Sequence, residues 1–413
     1  AYLDMPSTTG TVTVTAEIVQ SKMSVSLLTL DIEVIEPWTQ VGDDIDGSVP
    51  HRLGYSVSMN SDGARMAVGY DAGLRAFQYD QTKTPAWQEM GSIPAVSEAR
   101  HGVMVSMSDD GTKIASIGVS MDPTSGLDTS VTVHEWNSES KSWTSLVLIQ
   151  SDFNPIRNQV NVIYAVALSG DGTRVAWART QGSDVVFQVY ENSIMTGGAW
   201  ESFGTSVSIQ LGAGASASNP SAMAMSANGN HLVIGFPSFN GLVKVYRNTA
   251  AAGNEAAWVQ MGSDITGIST SDGGFGTSVA ISADGARVVI GAPGTNGPDG
   301  ARISGFEPHV LVYDFHNTDW FNQKPGGVIT MGQTTIGGDY YNYFFGQSVD
   351  ISDDGSLVAV SAVASSRHGS GGLTKLYSLA GYEAKILTPL TIIEDNFMGM
   401  GTATVSISGN GKY

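Results

Sequence analysis

The chain repeats one short phrase seven times: Asp-Gly or Asn-Gly after an alternating apolar run. The gaps between successive Asp or Asn positions are 48, 61, 57, 56, 70 and 56 residues. A strand-built repeat of this length is typical of an array of small β-sheets, and it constrains the fold more than any other feature of the chain. The seven pairs are Asp62-Gly63, Asp110-Gly111, Asp171-Gly172, Asn228-Gly229, Asp284-Gly285, Asp354-Gly355 and Asn410-Gly411.

The fifth copy shows the elements of one repeat most clearly. Residues 276–282 alternate, which predicts a strand with one buried face. Asp284-Gly285 then predicts a tight hairpin turn with positive φ at both central residues, and residues 287–291 predict the returning strand. A third strand ends in the aromatic Tyr313, and a Trp opens a fourth strand in most repeats. The Trp residues in this place are Trp38, Trp87, Trp143, Trp200, Trp258 and Trp320.

Four antiparallel strands repeated in tandem predict the blades of a β-propeller, and the chain termini complete the count. Residues 402–408 predict the innermost strand of a seventh blade, and residues 11–18, 24–35 and 38–45 predict its other three strands. Sharing one blade between the two termini closes the ring and removes two free sheet edges. The sequence therefore predicts an all-β, seven-bladed propeller as one domain over residues 1–413. Segments 1–47 and 398–413 would form the closing blade, and residues 48–397 would form six further blades. A solenoid of stacked hairpins is the alternative.

Composition narrows the choice of partners. The 20 Lys and Arg residues against 39 Asp and Glu give a net charge of −19, which repels phosphate backbones and argues against nucleic acid. Only 14% of residues are charged, so the surface has little charge repulsion per unit area to oppose packing against copies of itself. The absence of cysteine excludes disulfides and thiolate metal sites. No apolar stretch is long enough to cross a bilayer, so membrane insertion is not expected.

The phrase from Gly276 to Pro293 resembles the FG-GAP repeats of integrin-α-type propellers, within a broader WD40-like group. Calcium-binding copies of that family carry an Asp-x-Asp-x-Asp-Gly loop, whereas the turns here hold one or two carboxylates, so calcium is not carried over. The Trp-x-Gln-x-Gly-x-x-Ile-x-Gly pattern at 38–47 and 258–267 is similar to propellers of diatoms and related algae, which include the pyrenoid shell proteins. That resemblance implies a chloroplast stroma protein of the Rubisco-rich pyrenoid, with copies of itself, related propellers or Rubisco as partners. An extracellular or cell-surface location is the alternative.

Two groups of residues are candidate contact sites. His51, Arg52, Arg100 and His101 precede the innermost strands of adjacent blades, which predicts an anion-binding patch at one mouth of the central channel. Exposed polar loop residues would give the same pattern. Tyr340, Tyr341 and Tyr343 have no counterpart in the other repeats, and aromatic residues with a polar tip are favoured at protein interfaces. A loop folded over its own blade is the competing interpretation. The Asp-Gly turns themselves are interpreted as hairpin geometry rather than a cation site, because Asn replaces Asp at positions 228 and 410.

The sequence contains no motif for a catalytic nucleophile, a phosphate loop or a metal site, so catalytic, cofactor and metal residues are all expected to be none. The resulting expectation is a non-enzymatic structural protein that assembles through its propeller surfaces into a lattice, sheet or tube, such as the shell around the pyrenoid. The alternative is a ligand- or protein-binding propeller module with a site at the channel mouth. An enzyme is the third class, and a cluster of buried carboxylates at the channel would favour it.

Overall fold

The structure is a computed structural model of the 413-residue chain. It describes residues 11–16, 28–33, 40–45, 53–70, 73–93, 100–122, 126–150, 163–181, 184–192, 198–211, 221–237, 241–249, 257–267, 274–294, 308–322, 328–330, 335–336, 339–340, 344–363, 372–379, 392–395 and 404–413. All regular structure in these ranges is β-strand. They include no helix with the length and apolarity needed to cross a membrane.

The chain divides into two compact units, residues 1–41 and residues 42–413. The first unit contains strands β1 (Thr11–Ala16) and β2 (Leu28–Glu33), which pair antiparallel with Val14 opposite Leu30. Both strands fall inside segments in which the sequence predicts strands.

The second unit contains six antiparallel sheets in succession along the chain, here called blades 1 to 6. Blade 1 consists of β3 (Ser56–Met59), β4 (Arg65–Tyr70), β5 (Gly73–Tyr79) and β6 (Trp87–Glu89). Blade 2 consists of β7 (Arg100–Met107), β8 (Lys113–Asp122), β9 (Gly126–Asn137) and β10 (Ser142–Gln150). In both blades the strands pair in chain order, from the innermost strand outward.

In blades 3, 4 and 5, two short strands share the outer edge of the third strand. Blade 3 consists of β11 (Ile163–Leu168), β12 (Arg174–Gln181), β13 (Asp184–Asn192), β14 (Trp200–Ser202) and β15 (Val207–Ile209). Blade 4 consists of β16 (Ala222–Met225), β17 (His231–Phe236), β18 (Leu242–Asn248), β19 (Trp258–Gln260) and β20 (Ile265–Thr266). Blade 5 consists of β21 (Ser278–Ile281), β22 (Arg287–Ala292), β23 (His309–His316), β24 (Asp319–Asn322) and β25 (Val328–Thr330).

Blade 6 follows a small hairpin of β26 (Thr335–Ile336) and β27 (Asp339–Tyr340). It consists of β28 (Ser348–Ile351), β29 (Leu357–Val363), β30 (Gly372–Ser378) and β31 (Ile392–Asp395). The β-propeller class that the sequence predicts is thereby confirmed.

The described residues form six blades, so the predicted number of seven is wrong. Residues 404–408, inside the segment expected to be a seventh inner strand, are not assigned to a strand. The physical reason is pairing: a strand is defined by ladder hydrogen bonds, and no described segment forms a ladder with residues 404–408. The blade shared by the two termini is not tested by the described residues and stays a prediction.

The seven Asp-Gly and Asn-Gly turns form a ring of backbone hydrogen bonds, even though only six sheets are complete. An amide N–H in each turn donates to a carbonyl of the next turn, and the last turn donates to the first. The N-to-O pairs are Ser61–Asp109 (3.1 Å), Asp109–Gly170 (2.7 Å), Asp171–Ala227 (2.8 Å), Ala227–Ala283 (3.2 Å), Ala283–Asp353 (3.0 Å), Asp353–Gly409 (2.8 Å) and Asn410–Ser61 (2.9 Å). The C-terminal segment thus occupies a seventh position in the ring.

Each turn is stabilised by its Asp or Asn side chain. Asp284 Oδ1, for example, accepts the N–H of Ala286 (2.9 Å) and the hydroxyl of Ser282 (2.6 Å). Only the glycine has positive φ (75° at Gly285), and its N–H donates to the carbonyl of Ser282. The turn is therefore type I followed by a left-handed glycine, so the expected positive φ at both central residues is wrong.

Apolar side chains between neighbouring blades form the core. Phe275 and Phe345 are fully buried, each in a cluster with residues of two successive blades. Hydrogen bonds from the outer strands also connect neighbouring blades. The indole N–H of Trp143 donates to the carbonyl of Met90 (3.0 Å), and the indole N–H of Trp320 donates to the carbonyl of Met261 (2.7 Å). Inner turns and outer Trp residues together fix the spacing between blades.

We expect Asp284→Ala to lower the free energy of unfolding by about 1–2 kcal/mol, because two hydrogen bonds to the carboxylate are lost. Asp284→Asn should stay within about 0.5 kcal/mol of the natural protein, since Asn410 makes the same contacts to Lys412 N–H and the Ser408 hydroxyl in the last turn. Urea unfolding of the two variants measures the difference. If Asp284→Asn and Asp284→Ala destabilised the protein equally, the hydrogen-bonding role of the Asp284 side chain in the turn would be contradicted.

Candidate functional site

The inner strands of the six blades and the C-terminal segment enclose a central channel with a cavity of about 400 Å³. This volume lies within the range of small-molecule binding sites. The seven turns lie at one end of the channel, and the first residues of the inner strands lie at the other.

At one position of the inner strands, the residues are polar in one half of the ring and apolar in the other half. The position meant is the fourth residue before the Asp or Asn of each turn. It is a serine or an aspartate in the polar half of the ring and an alanine in the apolar half. The polar residues at this position are Ser58, Ser106, Asp350 and Ser406, and the alanines are Ala167, Ala224 and Ala280. The polar members belong to blades 1, 2 and 6 and to the C-terminal segment, which are consecutive around the ring.

The polar side chains at this position connect neighbouring inner strands. Ser58 Oγ accepts the N–H of Met107 (3.0 Å), and Ser406 Oγ accepts the N–H of Met59 (3.1 Å). Asp350 connects neighbouring inner strands in the same way, through a carboxylate instead of a hydroxyl. Its Oδ2 accepts hydrogen bonds from the Ile407 N–H and the Ser406 hydroxyl, both at 2.9 Å. The polar half of the channel is therefore held by side-chain acceptors that the alanine half lacks.

The residue directly before the turn Asp or Asn lines the channel at the turn end. Two of these residues are acidic, Asp109 and Asp353, and Ser61 lies between them in the ring order. Ser61 Oγ donates to Asp353 Oδ2 at 2.8 Å. The next ring positions after Asp109 and Asp353 are glycines. A Cβ on Gly170 would approach the Asp109 carboxylate to 2.4 Å, and a Cβ on Gly409 would approach the Asp353 carboxylate to 2.0 Å. The glycines leave room for both carboxylates.

Two channel carboxyls have raised pKa values. Burial, followed by the negative charges of Asp353, Asp171 and Asp110, raises the pKa of Asp109 to about 6. Burial also raises the pKa of Asp350 to about 6, although the hydrogen bonds from Ile407, Ile351 and Ser406 act in the opposite direction. Both side chains keep some contact with solvent because they face the channel. Perturbed carboxyls in a cavity are frequent at binding and catalytic sites.

The structure places the predicted site residues only in part. Arg100 and His101 are the first residues of β7, so their backbone lies at the end of the inner strand opposite to Asp109. His51 and Arg52 lie outside the described residues, as do Tyr341 and Tyr343. Tyr340 is the last residue of β27, opposite Thr335. The anion patch and the tyrosine contact patch therefore stay predictions.

Asp109, Asp350 and Asp353 are not among the site residues that the sequence predicts. The repeat pattern groups all carboxylates near the turns as one set, whereas in the structure the turn Asp residues make hydrogen bonds within their own turns and the residues before them face the channel. The sequence does contain a pattern that could have identified Asp109 and Asp353: they occupy a position at which the other copies of the repeat have Ser, Gly or Ala. Among the described residues, no three or more His, Cys, Asp or Glu side chains are arranged as a metal site.

Comparison with known proteins supports the fold alone. No family model and no curated protein matches this chain. Among solved structures, the periplasmic gluconolactonase of Pseudomonas aeruginosa is 16% identical, with a TM-score of 0.50 over 84% of this chain and 85% of that one. A "putative 6-phosphogluconolactonase" of Bacteroides fragilis is 12% identical, with a TM-score of 0.50 over 85% of this chain and 86% of that one. The β-propeller is shown, while the FG-GAP and pyrenoid-shell resemblances stay predictions.

The expectation that the chain is not an enzyme is contradicted by these similarities. The same propeller architecture occurs in proteins described as lactonases. The lack of a familiar catalytic motif does not exclude an enzyme, because the functional residues of a propeller can come from several inner strands rather than from one contiguous motif.

We expect Asp109→Asn to raise stability above pH 6 by about 1 kcal/mol, after allowance for screening by water in the channel. The folded-state pKa of Asp109, about 6, lies above the ordinary value of 3.8, so the folded protein holds this proton more tightly than the unfolded chain. Its contribution to stability is present below about pH 4 and is lost as the pH rises to about 6.

Urea unfolding of the natural protein and the Asp109→Asn variant between pH 4 and 7 tests this prediction. Asp284→Asn is the matched control, because it removes a carboxylate from a turn without changing the channel. If the difference in unfolding free energy between Asp109→Asn and the natural protein did not vary with pH, the raised pKa of Asp109 would be contradicted.

Proposed function

We propose that this protein binds a small polar molecule in its central channel, at the end formed by the seven turns. The single observation that carries the proposal is the pair of carboxylates at Asp109 and Asp353, which share the mouth of a cavity of about 400 Å³ with the Ser61 hydroxyl. A cavity with a few convergent polar groups is the usual form of a small-molecule site.

Charge favours a ligand with a positive group. The two carboxylates lie close enough that the charge of Asp353 raises the pKa of Asp109, and the whole chain carries −19. A bound cation would relieve this repulsion, and the negative field would raise its local concentration. Ala227 and Ala283 line the same end of the channel and offer an apolar surface to the rest of the molecule, so an organic amine fits the lining better than a simple ion.

We expect small organic amines to raise the melting temperature of the natural protein by about 2 °C or more at concentrations well above Kd. Neutral polyols and carboxylates of the same size should not, because they leave the carboxylates unpaired. The Asp109→Asn/Asp353→Asn double variant should lose the response to amines. A thermal-shift panel of size-matched compounds in the three charge classes measures this.

The matched control for that panel is Asp284→Asn, which should keep the response to amines. A response shared equally by all three charge classes would contradict the proposal, as would a response to amines that survives in the double variant. Binding of carboxylates alone would instead favour the predicted anion patch near Arg100 and His101.

We also propose that copies of the protein associate through the outer edges of the blades. Three of its exposed large apolar side chains lie on outermost strands: Leu146 on β10 (52% exposed), Val259 on β19 (39%) and Phe321 on β24 (53%). An outermost strand also presents unpaired main-chain groups, so an apolar edge is suited to pairing with another copy. Contacts between nonequivalent edges build open sheets or tubes. A shell around the pyrenoid, within the chloroplast stroma, is the assembly that the repeat resemblance implies.

We expect the natural protein at micromolar concentration to elute from size-exclusion chromatography with light scattering as a species larger than one chain. Leu146→Ser/Phe321→Ser should shift it to the monomer, because it removes apolar area from two edges. Thr144→Ser, on the same strand as Leu146, is the control and should not shift it. A strictly monomeric natural protein would contradict this second proposal.

A further inference from the structure

The third residue before the Asp or Asn of each turn lines the channel. In blade 4 this residue is Met225, and the N–H of the next residue, Ser226, donates to the carbonyl of His231 on the second strand (3.0 Å). Because N–H groups alternate between the two edges of a strand in an antiparallel ladder, the Met225 N–H points away from the second strand and into the channel. The ladder of blade 5 turns the N–H of Ile281 in the same way. The seven residues at this position are Met59, Met107, Leu168, Met225, Ile281, Ile351 and Ile407.

Side chains accept the N–H groups of five of these seven residues. Serine hydroxyl oxygens of the preceding inner element accept three of them, and the Asp350 carboxylate accepts two. The serine pairs are Met59 with Ser406 (3.1 Å), Met107 with Ser58 (3.0 Å) and Leu168 with Ser106 (3.0 Å). Asp350 Oδ1 accepts the N–H of Ile351, and Oδ2 accepts that of Ile407, both at 2.9 Å. One carboxylate thus bridges the main-chain N–H groups of two neighbouring inner elements.

Met225 and Ile281 are the other two residues at this position, and they belong to the adjacent blades 4 and 5. Within the described part of the chain, no group accepts either N–H. The preceding inner strands have Ala167 and Ala224 where a serine would supply the oxygen. Ala167 packs in one cluster with Met225, and Ala224 packs on the cluster of Ile281, so each alanine lies beside the N–H concerned. Two neighbouring main-chain donors in the channel wall therefore call for an acceptor from outside the chain.

We propose that the N–H groups of Met225 and Ile281 bind the carboxylate of the channel ligand, which is an ω-amino acid with its amine at the turn end. The amine end of this inference rests on the proposed function. The carboxylate end has a template within the molecule, since Asp350 bridges two N–H groups at the same level of the channel. An amino acid is neutral overall, so the net charge of −19 does not oppose its entry.

The register of the inner strands indicates how far apart the two charged groups of the ligand are. Asp353 directly precedes a turn, whereas Met225 and Ile281 lie at a level two residues further from the turn end. Two residues of a strand correspond to about 6.8 Å. This separation favours an amine at the far end of a short alkyl chain over an amine on the carbon next to the carboxylate.

Calorimetric titration of the natural protein with δ-aminovalerate, pentylamine and pentanoate tests the two ends of the ligand separately, because the three compounds share one five-carbon chain. We expect δ-aminovalerate to bind at least about tenfold more tightly than pentylamine, since its carboxylate adds two hydrogen bonds with main-chain N–H groups. Pentanoate should not bind, because it leaves the two channel aspartates unpaired.

Ala167→Ser/Ala224→Ser is the variant that tests the carboxylate end. It supplies the two hydroxyl groups that the polar half of the ring already has, so the new serines should accept the N–H groups of Met225 and Ile281. We expect the affinity for δ-aminovalerate to fall to that for pentylamine, while the affinity for pentylamine stays as it is in the natural protein.

Ala280→Ser is the matched control, because it introduces a serine at the same position one blade further along. The N–H that it would face, that of Ile351, already donates to Asp350 Oδ1 (2.9 Å). This variant should keep the preference of about tenfold for δ-aminovalerate. Loss of the preference in Ala280→Ser would overturn the inference, since the effect would then not depend on the two donors.

Amide hydrogen exchange measures the same donors in the unaltered protein. Without ligand, the amides of Met225 and Ile281 should exchange faster than those of Met107 and Leu168, which have serine acceptors. Saturation with δ-aminovalerate should slow both, whereas pentylamine should not. Equal protection of all four amides without ligand would overturn the inference, because an acceptor would then already be present.

The titrations also separate a failure of this inference from a failure of the proposed function. Equal affinities for δ-aminovalerate and pentylamine, both lost in Asp109→Asn/Asp353→Asn, would overturn the carboxylate site and leave the amine site standing. If neither compound bound to the natural protein, both would be overturned.

Discussion

The hydrogen bonds between successive turns are the constraint on which the rest of the structure depends. Each turn offers one amide and one carbonyl to its two neighbours, and the seven turns close on themselves from Asn410 back to Ser61. This arrangement fixes the inner ends of all blades at one radius, and the turn glycines are needed because their left-handed φ sends the chain into the second strand.

The ring also separates the carboxylates of the turns from those that line the channel. The Asp or Asn of each turn is occupied by its own backbone and by a nearby Ser or Asn, so it contributes the same contacts in every copy. The residue before it joins the ring of backbone hydrogen bonds through its main chain, so these bonds place no requirement on its side chain. Asp109 and Asp353 use this freedom, and burial, followed by the negative charge of Asp353, raises the pKa of Asp109 to about 6. The same scaffold therefore carries different chemistry on its two halves.

The polar half of the channel includes the C-terminal segment, residues 404–409. Asp350 accepts hydrogen bonds from Ser406 and Ile407, so a carboxyl in the channel also holds the C-terminal segment. Other inner strands use a serine for this contact, which suggests why a charge is tolerated: the carboxylate satisfies two donors at once. Asp350, which holds the C-terminal segment, and Asp353, which lines the turn end, therefore both belong to blade 6.

The sequence by itself determined the propeller, because the period of the Asp-Gly turns, the alternating strands and the Trp-led outer strands are all local patterns. It also determined that the turn carboxylates are structural, since Asn replaces Asp in two copies. It could not identify Asp109, Asp350 and Asp353 as one site, because they lie on blades 2 and 6, more than 240 residues apart in the chain for Asp109 and Asp353. Only the tertiary structure brings them together, since in the closed ring the C-terminal segment and blade 1 are all that separate the sixth blade from the second. The raised pKa values are likewise a product of burial and through-space charge, which no local pattern in the sequence records.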